Sequence, residues 1–212
     1  MQLAVGFFFF AAKAMFPIFL KLEGRRVLVV GAGKVAEGKI RGLLEARASL
    51  EVIAPTAIGQ IQKWASEGLI AWKARVFQPT DLDQTSIVIA ATSIPEVNAE
   101  IFKQARLRNV LCNAVDDPQN CDFYYPAVVN RGDLQIAIST NGRSPALAQR
   151  LRRGLEEQFG PEYEAWVAEL GQAREQLLVE KLDPESRKRI FHQMVSGEAF
   201  EKRHSDSRRG SN

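Results

Sequence analysis

Two adjacent carboxylates, Asp116 and Asp117, stand where the apolar run of CNAVDDP gives way to a polar loop. A carboxylate at the end of a buried strand can accept a proton from a bound substrate. Asp at such a boundary can equally form a turn by bonding its own backbone. Asp117 precedes Pro118 and reads as the turn former, which leaves Asp116 as the proton-transfer candidate.

A second pattern lies upstream, in VLVVGAGKVAEGKI. Gly31, Gly33 and Ala36 form G-x-G-x-x-A between a predicted strand and a predicted helix. The first Gly allows a tight turn, the second lets backbone approach a pyrophosphate, and the Ala lets helix and strand pack closely. The helix start adds N–H donors and a positive dipole end, so the pattern points to a dinucleotide. The fingerprint also asks for an acid about 20 positions on, to hold the ribose hydroxyls. Here the second strand ends Ile53-Ala54-Pro55-Thr56, and Glu51 lies within the strand. Thr56 can donate to a ribose hydroxyl instead. No Arg is expected nearby for a 2′-phosphate, which favours NAD over NADP.

Later strands end in Ala91-Thr92-Ser93 and Cys112-Asn113-Ala114-Val115-Asp116. Ligands of open parallel sheets sit outside the carboxyl ends of the strands. Thr92, Ser93, Asn113 and Asp116 are therefore expected on the rim of one cleft. Further on, Ser139-Thr140-Asn141-Gly142-Arg143-Ser144-Pro145 leads small residues into a helix start. Such a segment concentrates N–H donors suited to carboxylates, with Arg143 and Arg131 adding charge. It reads equally well as an ordinary helix cap flanked by solvated arginines. Arg150, Arg152 and Arg153 read as a solvated helix face.

The elements that must position these groups alternate. Strands are expected at Arg26 to Val30, Leu50 to Ala54, Ile70 to Val76, Ile87 to Ala91 and Val110 to Val115. Helices are expected over Val35 to Ala46, Ile58 to Ser66 and Pro95 to about Arg108. This is the grammar of a Rossmann-type α/β parallel sheet covered on both faces. After Pro118 it changes. Ala127 to Asn130 and Leu134 to Ser139 read as a hairpin, and helices follow at Pro145 to Phe159, Glu162 to about Glu180 and Pro184 to about Ala199. The expected division is an extension at 1–14, a dinucleotide-binding domain at 15–117, a small α+β region at 118–160, a C-terminal helical domain at 161–200 and a disordered tail at 201–212. Residues 1–14 also admit an export-signal reading, although no Lys or Arg precedes their apolar run.

Composition narrows the function classes. Over 212 residues the net charge is +3, too small for a nucleic-acid binder, and no apolar run is long enough to span a membrane. Cys112 and Cys121 fit neither a CxxC motif nor a zinc site, and Cys112 reads as a buried thiol of a cytoplasmic protein. His192 and His204 cannot form a metal cluster, so no metal site is expected. Trp64, Trp72 and Trp166 read as packing residues.

Taken together, FPIFLKLEGRRVLVVGAGKVAEGKI, LCNAVDDP and FYYPAVVNRGDLQIAISTNGRSPALAQRLR resemble the precorrin-2 dehydrogenase / sirohydrochlorin ferrochelatase family of sirohaem synthesis, over about residues 16 to 160. The resemblance implies NAD-dependent oxidation of precorrin-2 to sirohydrochlorin, with ferrous iron inserted in the same site in some members. It implies a homodimer whose 118–160 regions are exchanged between protomers. Carried over, the catalytic aspartate is Asp116, and Lys34, Val35, Pro55 and Thr56 contact the cofactor, with Thr92 and Ser93 on the same rim. Thr140, Asn141, Gly142, Arg143 and Ser144 fall on the tetrapyrrole side, and the carboxylates of the implied substrate give Arg131, Arg143 and the helix start at Ser144 a task. The missing acid after the second strand is a feature of this family too. A reading from another class is a non-catalytic, dimeric NAD-sensing module, which leaves Asp116 without a task.

Overall fold

A computed structural model describes residues 15–198; the expected extension at 1–14 and tail at 201–212 lie outside these. The chain divides into two compact units, one ending at Tyr125 and the other beginning at Pro126.

The first unit is built on a five-stranded parallel sheet: β1 (Arg26–Val30), β2 (Ser49–Ile53), β3 (Ala71–Lys73), β4 (Ile87–Ala90) and β5 (Leu111–Ala114). The order is β3-β2-β1-β4-β5, so the connections reverse direction between β1 and β4. Ligand crevices of doubly wound sheets open at such a switch point. Strand β1 shows why the sheet is covered on both faces. Val27 and Val29 pack with Ile40, Leu43, Ile61 and Trp64 on one side. Leu28 and Val30 pack with Leu82, Ile101 and Ala105 on the other. Alternate residues face opposite layers, so a strand buried twice must be apolar throughout.

Helices α1 (Lys34–Glu45), α2 (Gly59–Ser66) and α3 (Pro95–Leu107) supply those layers. Each is followed by a left-handed residue, Arg47, Gly68 or Asn109. Ala48, Leu69 and Val110 then donate their N–H back to Leu43, Trp64 and Ala105, which closes the last turns. Strand β3 is shorter than expected. It pairs only through Ala71, Trp72 and Lys73, and Arg75 donates its N–H back to the Lys73 carbonyl, turning the chain away.

The second unit opens with a hairpin, β6 (Ala127–Arg131) and β7 (Leu134–Ile138), joined by Gly132-Asp133 with Gly132 at φ 61°. A Gly with positive φ at the first turn position matches strand twist. Helices α4 (Pro145–Gln158), α5 (Glu162–Val179) and α6 (Pro184–Met194) follow. Phe159, Tyr163 and Trp166 stack edge-on, with centroids 5.1 and 5.6 Å apart, across the Gly160-Pro161 break between α4 and α5. Helix α6 ends at Met194, before a break at Val195-Ser196; the expected end at Ala199 lies outside the described residues. Among the described residues no helix is long and apolar enough to cross a membrane.

Candidate functional site

The carboxyl ends of β1, β2, β4 and β5 converge on a cavity of about 1000 Å³ within the first unit, at the upper end of the range for small-molecule sites. Its floor is the Gly31–Val35 turn. Gly31 has φ 108°, and a Cβ there would lie 2.2 Å from the Ala91 carbonyl oxygen at the end of β4. Only Gly allows β1 and β4 to end side by side. Gly33 differs: a Cβ there would meet no atom within 4 Å and would project into open space beside the cavity floor. Ala36 is fully buried between α1 and the sheet. The turn thus delivers the first N–H groups of α1, which have no acceptor within the helix, to the cavity. A large cavity with a Cβ-free backbone cradle at a helix start fits a dinucleotide pyrophosphate.

Charge at the floor is balanced locally. Glu37, almost buried in the first turn of α1, accepts from Lys34 Nζ at 2.7 Å and Arg41 at 3.2 Å. The Lys34 bond, above all, holds its carboxyl below the usual range. Lys34 itself is 87% exposed.

The walls carry the other expected groups. Pro55 and Thr56 line one side and Thr92, Ser93 and Asp116 another. Thr92 is fixed by buried Asn98, donating to its Oδ1 at 2.8 Å while its carbonyl accepts from Nδ2 at 3.1 Å. Asp116 has φ 60°, a left-handed conformation that Asp tolerates better than most residues. Asp117 does not line the cavity; it accepts from the Gln119 N–H at 3.2 Å and Asn120 Nδ2 at 2.6 Å. Glu51 is held by Arg26 at 3.2 Å and Lys73 at 2.7 Å and contributes nothing to the rim.

Three expectations need correction. Asn113 is not on the rim: it is buried, and its amide donates to the Phe123 carbonyl at 2.8 Å, tying β5 to the following loop. Arg131 is held by the protein rather than standing free, with three of its N–H groups in use. Its Nε, NH1 and NH2 donate to the carbonyls of Phe159, Asn130 and Glu156, so it caps the end of α4, where a cation complements the helix dipole. The third concerns arginine near the second strand's tip. Arg75 lines the cavity just beyond β3, beside Val76 and Phe77. The overlong expected strand hid it, by placing it inside the sheet. The buried carboxylate of Asp81 grips it at 2.8 Å.

Residues 140–144 belong to the second unit. The Thr140 carbonyl accepts from the Arg143 N–H at 3.0 Å around Asn141 and Gly142, both left-handed, and Ser144 caps α4 by accepting from the Leu147 N–H at 3.3 Å. Thr140 Oγ1 accepts from the Ser144 N–H.

Lys39 was missed altogether. It is half-buried on α1, at helical spacing from the buried Ala36 and Leu43, and that spacing is the available signal. Its ammonium sits 3.6 Å from the centre of the Tyr125 ring. Burial lowers its pKa, while the Asp116 carboxylate and Cys121 pull the other way.

Similarity to known proteins agrees with this geometry. Residues 18–127 match the family described as "Putative NAD(P)-binding" and residues 131–158 the one described as "Sirohaem biosynthesis protein central". Siroheme synthase 1 of Aeromonas hydrophila subsp. hydrophila is 38% identical over 185 residues, covering 86% of this chain and 39% of the relative. Siroheme synthase of Xylella fastidiosa (strain M12) is 37% identical, over 88% and 39%. The chain thus spans about two fifths of these relatives' length. The solved structure of "SirC, precorrin-2 dehydrogenase" superposes with a TM-score of 0.76 at 27% identity, covering 87% of this chain and 92% of that one.

Proposed function

The chain belongs to the precorrin-2 dehydrogenase family of the sirohaem synthase N-terminal type, and from that premise we propose that it oxidises precorrin-2 to sirohydrochlorin with NAD⁺. The observation that carries this reading is Asp116 on the wall of the cavity whose floor is the Gly31–Val35 turn. Gly31, Gly33, Lys34, Val35 and the start of α1 hold the pyrophosphate, Ala36 sets the packing that aims them, and Pro55 and Thr56 take the adenosine ribose. NAD⁺, when bound, accepts the hydride. The oxidation removes one hydride and one proton from the macrocycle, and Asp116 accepts the proton. Its position at the end of β5, with backbone pinned by the Val115 N–H to the Ala90 carbonyl, keeps the carboxylate at the rim. Thr92 and Ser93 line the same wall. Thr140, Asn141, Gly142, Arg143 and Ser144 are proposed to meet the substrate's carboxylates; Asn113 and Arg131 are not, given their committed donors.

Ferrous iron, as a second substrate, is part of the reading. Its insertion releases two pyrrole protons, proposed to leave one at a time through Asp116 to water. A homodimer is proposed as well. The second unit buries few large apolar side chains fully, while Val128, Leu147, Leu151 and Leu178 stay exposed. A reducing, cytoplasmic setting suits two free thiols, with Cys112 pushed up to about 12 chiefly by burial.

The test is turnover of precorrin-2 by the purified chain with NAD⁺, against Asp116→Asn. Loss of activity in the variant, with NAD⁺ still bound, is the expected result. Dinucleotide binding with no turnover in the unaltered chain favours a non-catalytic NAD-binding module.

A further inference from the structure

The adenosine side of the cavity carries an arginine whose charge is already spent. Arg75 follows β3, which pairs with β2 through Ile53 and Lys73, so it stands next to the Ala54-Pro55-Thr56 tip. That tip is where Rossmann sites meet the 2′ position of the ribose, and an Arg there ordinarily accommodates a 2′-phosphate. Here NH1 donates to Asp81 Oδ2 at 2.8 Å and to the Val76 carbonyl at 2.9 Å, while NH2 donates to Asp81 Oδ1. Asp81 is 5% exposed and also accepts from the Gln78 N–H at 2.8 Å. The neighbouring cation, Lys73, lies 2.7 Å from Glu51, which also pairs with Arg26.

We infer that the Arg75–Asp81 pair is the specificity-determining element for the cofactor, rejecting a 2′-phosphate by holding the guanidinium against a buried carboxylate. To bind the phosphate, Arg75 would have to abandon Asp81, leaving a buried charge unpaired, which is strongly unfavourable. A phosphate binding beside the intact pair meets no net positive charge, and the donors facing Asp81 are used. A 2′-hydroxyl asks for neither, and the exposed Thr56 hydroxyl at the same tip is suited to it. Asp81 acts through Arg75 and is a positioning residue.

The inference rests on the dinucleotide reading of the cavity, and titration calorimetry separates the two. The full chain is titrated with NAD⁺ and NADP⁺, as are Arg75→Met and Asp81→Asn, each checked for folding by circular dichroism. The unaltered chain should bind NAD⁺ at least about tenfold more tightly. Asp81→Asn should narrow that ratio by strengthening NADP⁺ binding, an effect that simple loss of stability would not produce. Should Asp81→Asn fail to fold, Asp81→Leu takes its place: a narrowed preference for NAD⁺ supports the inference and an unchanged one overturns it. Equal or tighter NADP⁺ binding by the unaltered chain, or a selective loss of NADP⁺ affinity in Arg75→Met, overturns the inference while leaving the dinucleotide site intact. Binding of neither cofactor sinks both.

Discussion

At the scale of single residues, Asp116 and Asp117 are neighbours in sequence with different surroundings. Asp117 is committed to the Pro118–Asn120 turn, whereas Asp116 lines the cavity. Asp116→Asn should lower kcat by about 10²- to 10⁴-fold while leaving the NAD⁺ Kd unchanged; Asp117→Asn should cost stability more than turnover. Asp81 gives a stability prediction. Burial raises its pKa, but the Arg75 guanidinium and the Gln78 N–H outweigh that and lower it below 3.8. A depressed carboxylate contributes fully above its unfolded value and loses that contribution as pH falls through the folded one. Acid unfolding below about pH 4 should therefore be less steep in Asp81→Asn than in the unaltered chain, measured by fluorescence.

Elements explain what was and was not legible beforehand. The order of strands and helices in the first unit followed from apolar runs and breakers, because a doubly buried strand admits little else than Val, Ile, Leu and Ala. Boundaries moved by a residue where left-handed caps such as Arg47 and Asn109 end a helix without Gly. The third strand was overextended because Ile70 to Val76 is apolar enough to be a strand, while its pairing stops at Lys73. That error concealed Arg75. Arg131 and Asn113 were misread for a different reason: a polar side chain near a rim looks the same in sequence whether it faces ligand or ties down backbone. The glycine turn offers a sharp test at this scale. Gly31→Ala forces a Cβ against the Ala91 carbonyl at positive φ and should destabilise the unit by at least about 2 kcal/mol in chemical denaturation. Gly33→Ala meets no atom of the protein, so stability should hold while NAD⁺ affinity falls more than about tenfold. Equal effects at the two glycines would refute the division between a turn residue and a ligand-facing one.

For the whole molecule, a dinucleotide-binding unit is followed by a second unit that leaves apolar side chains on its surface. Leu147 and Leu151 are exposed one helical turn apart on α4; contiguous apolar surface marks interaction sites, and a second copy is the proposed partner. Light scattering should give a dimer, and Leu147→Glu with Leu151→Glu should shift it towards monomer without unfolding the first unit. The most direct test of the central claim is spectroscopic: precorrin-2 and NAD⁺ incubated with the purified chain. The account predicts appearance of the sirohydrochlorin spectrum together with NADH absorbance, and its loss in Asp116→Asn. A folded, NAD⁺-binding chain that leaves precorrin-2 unoxidised would contradict it.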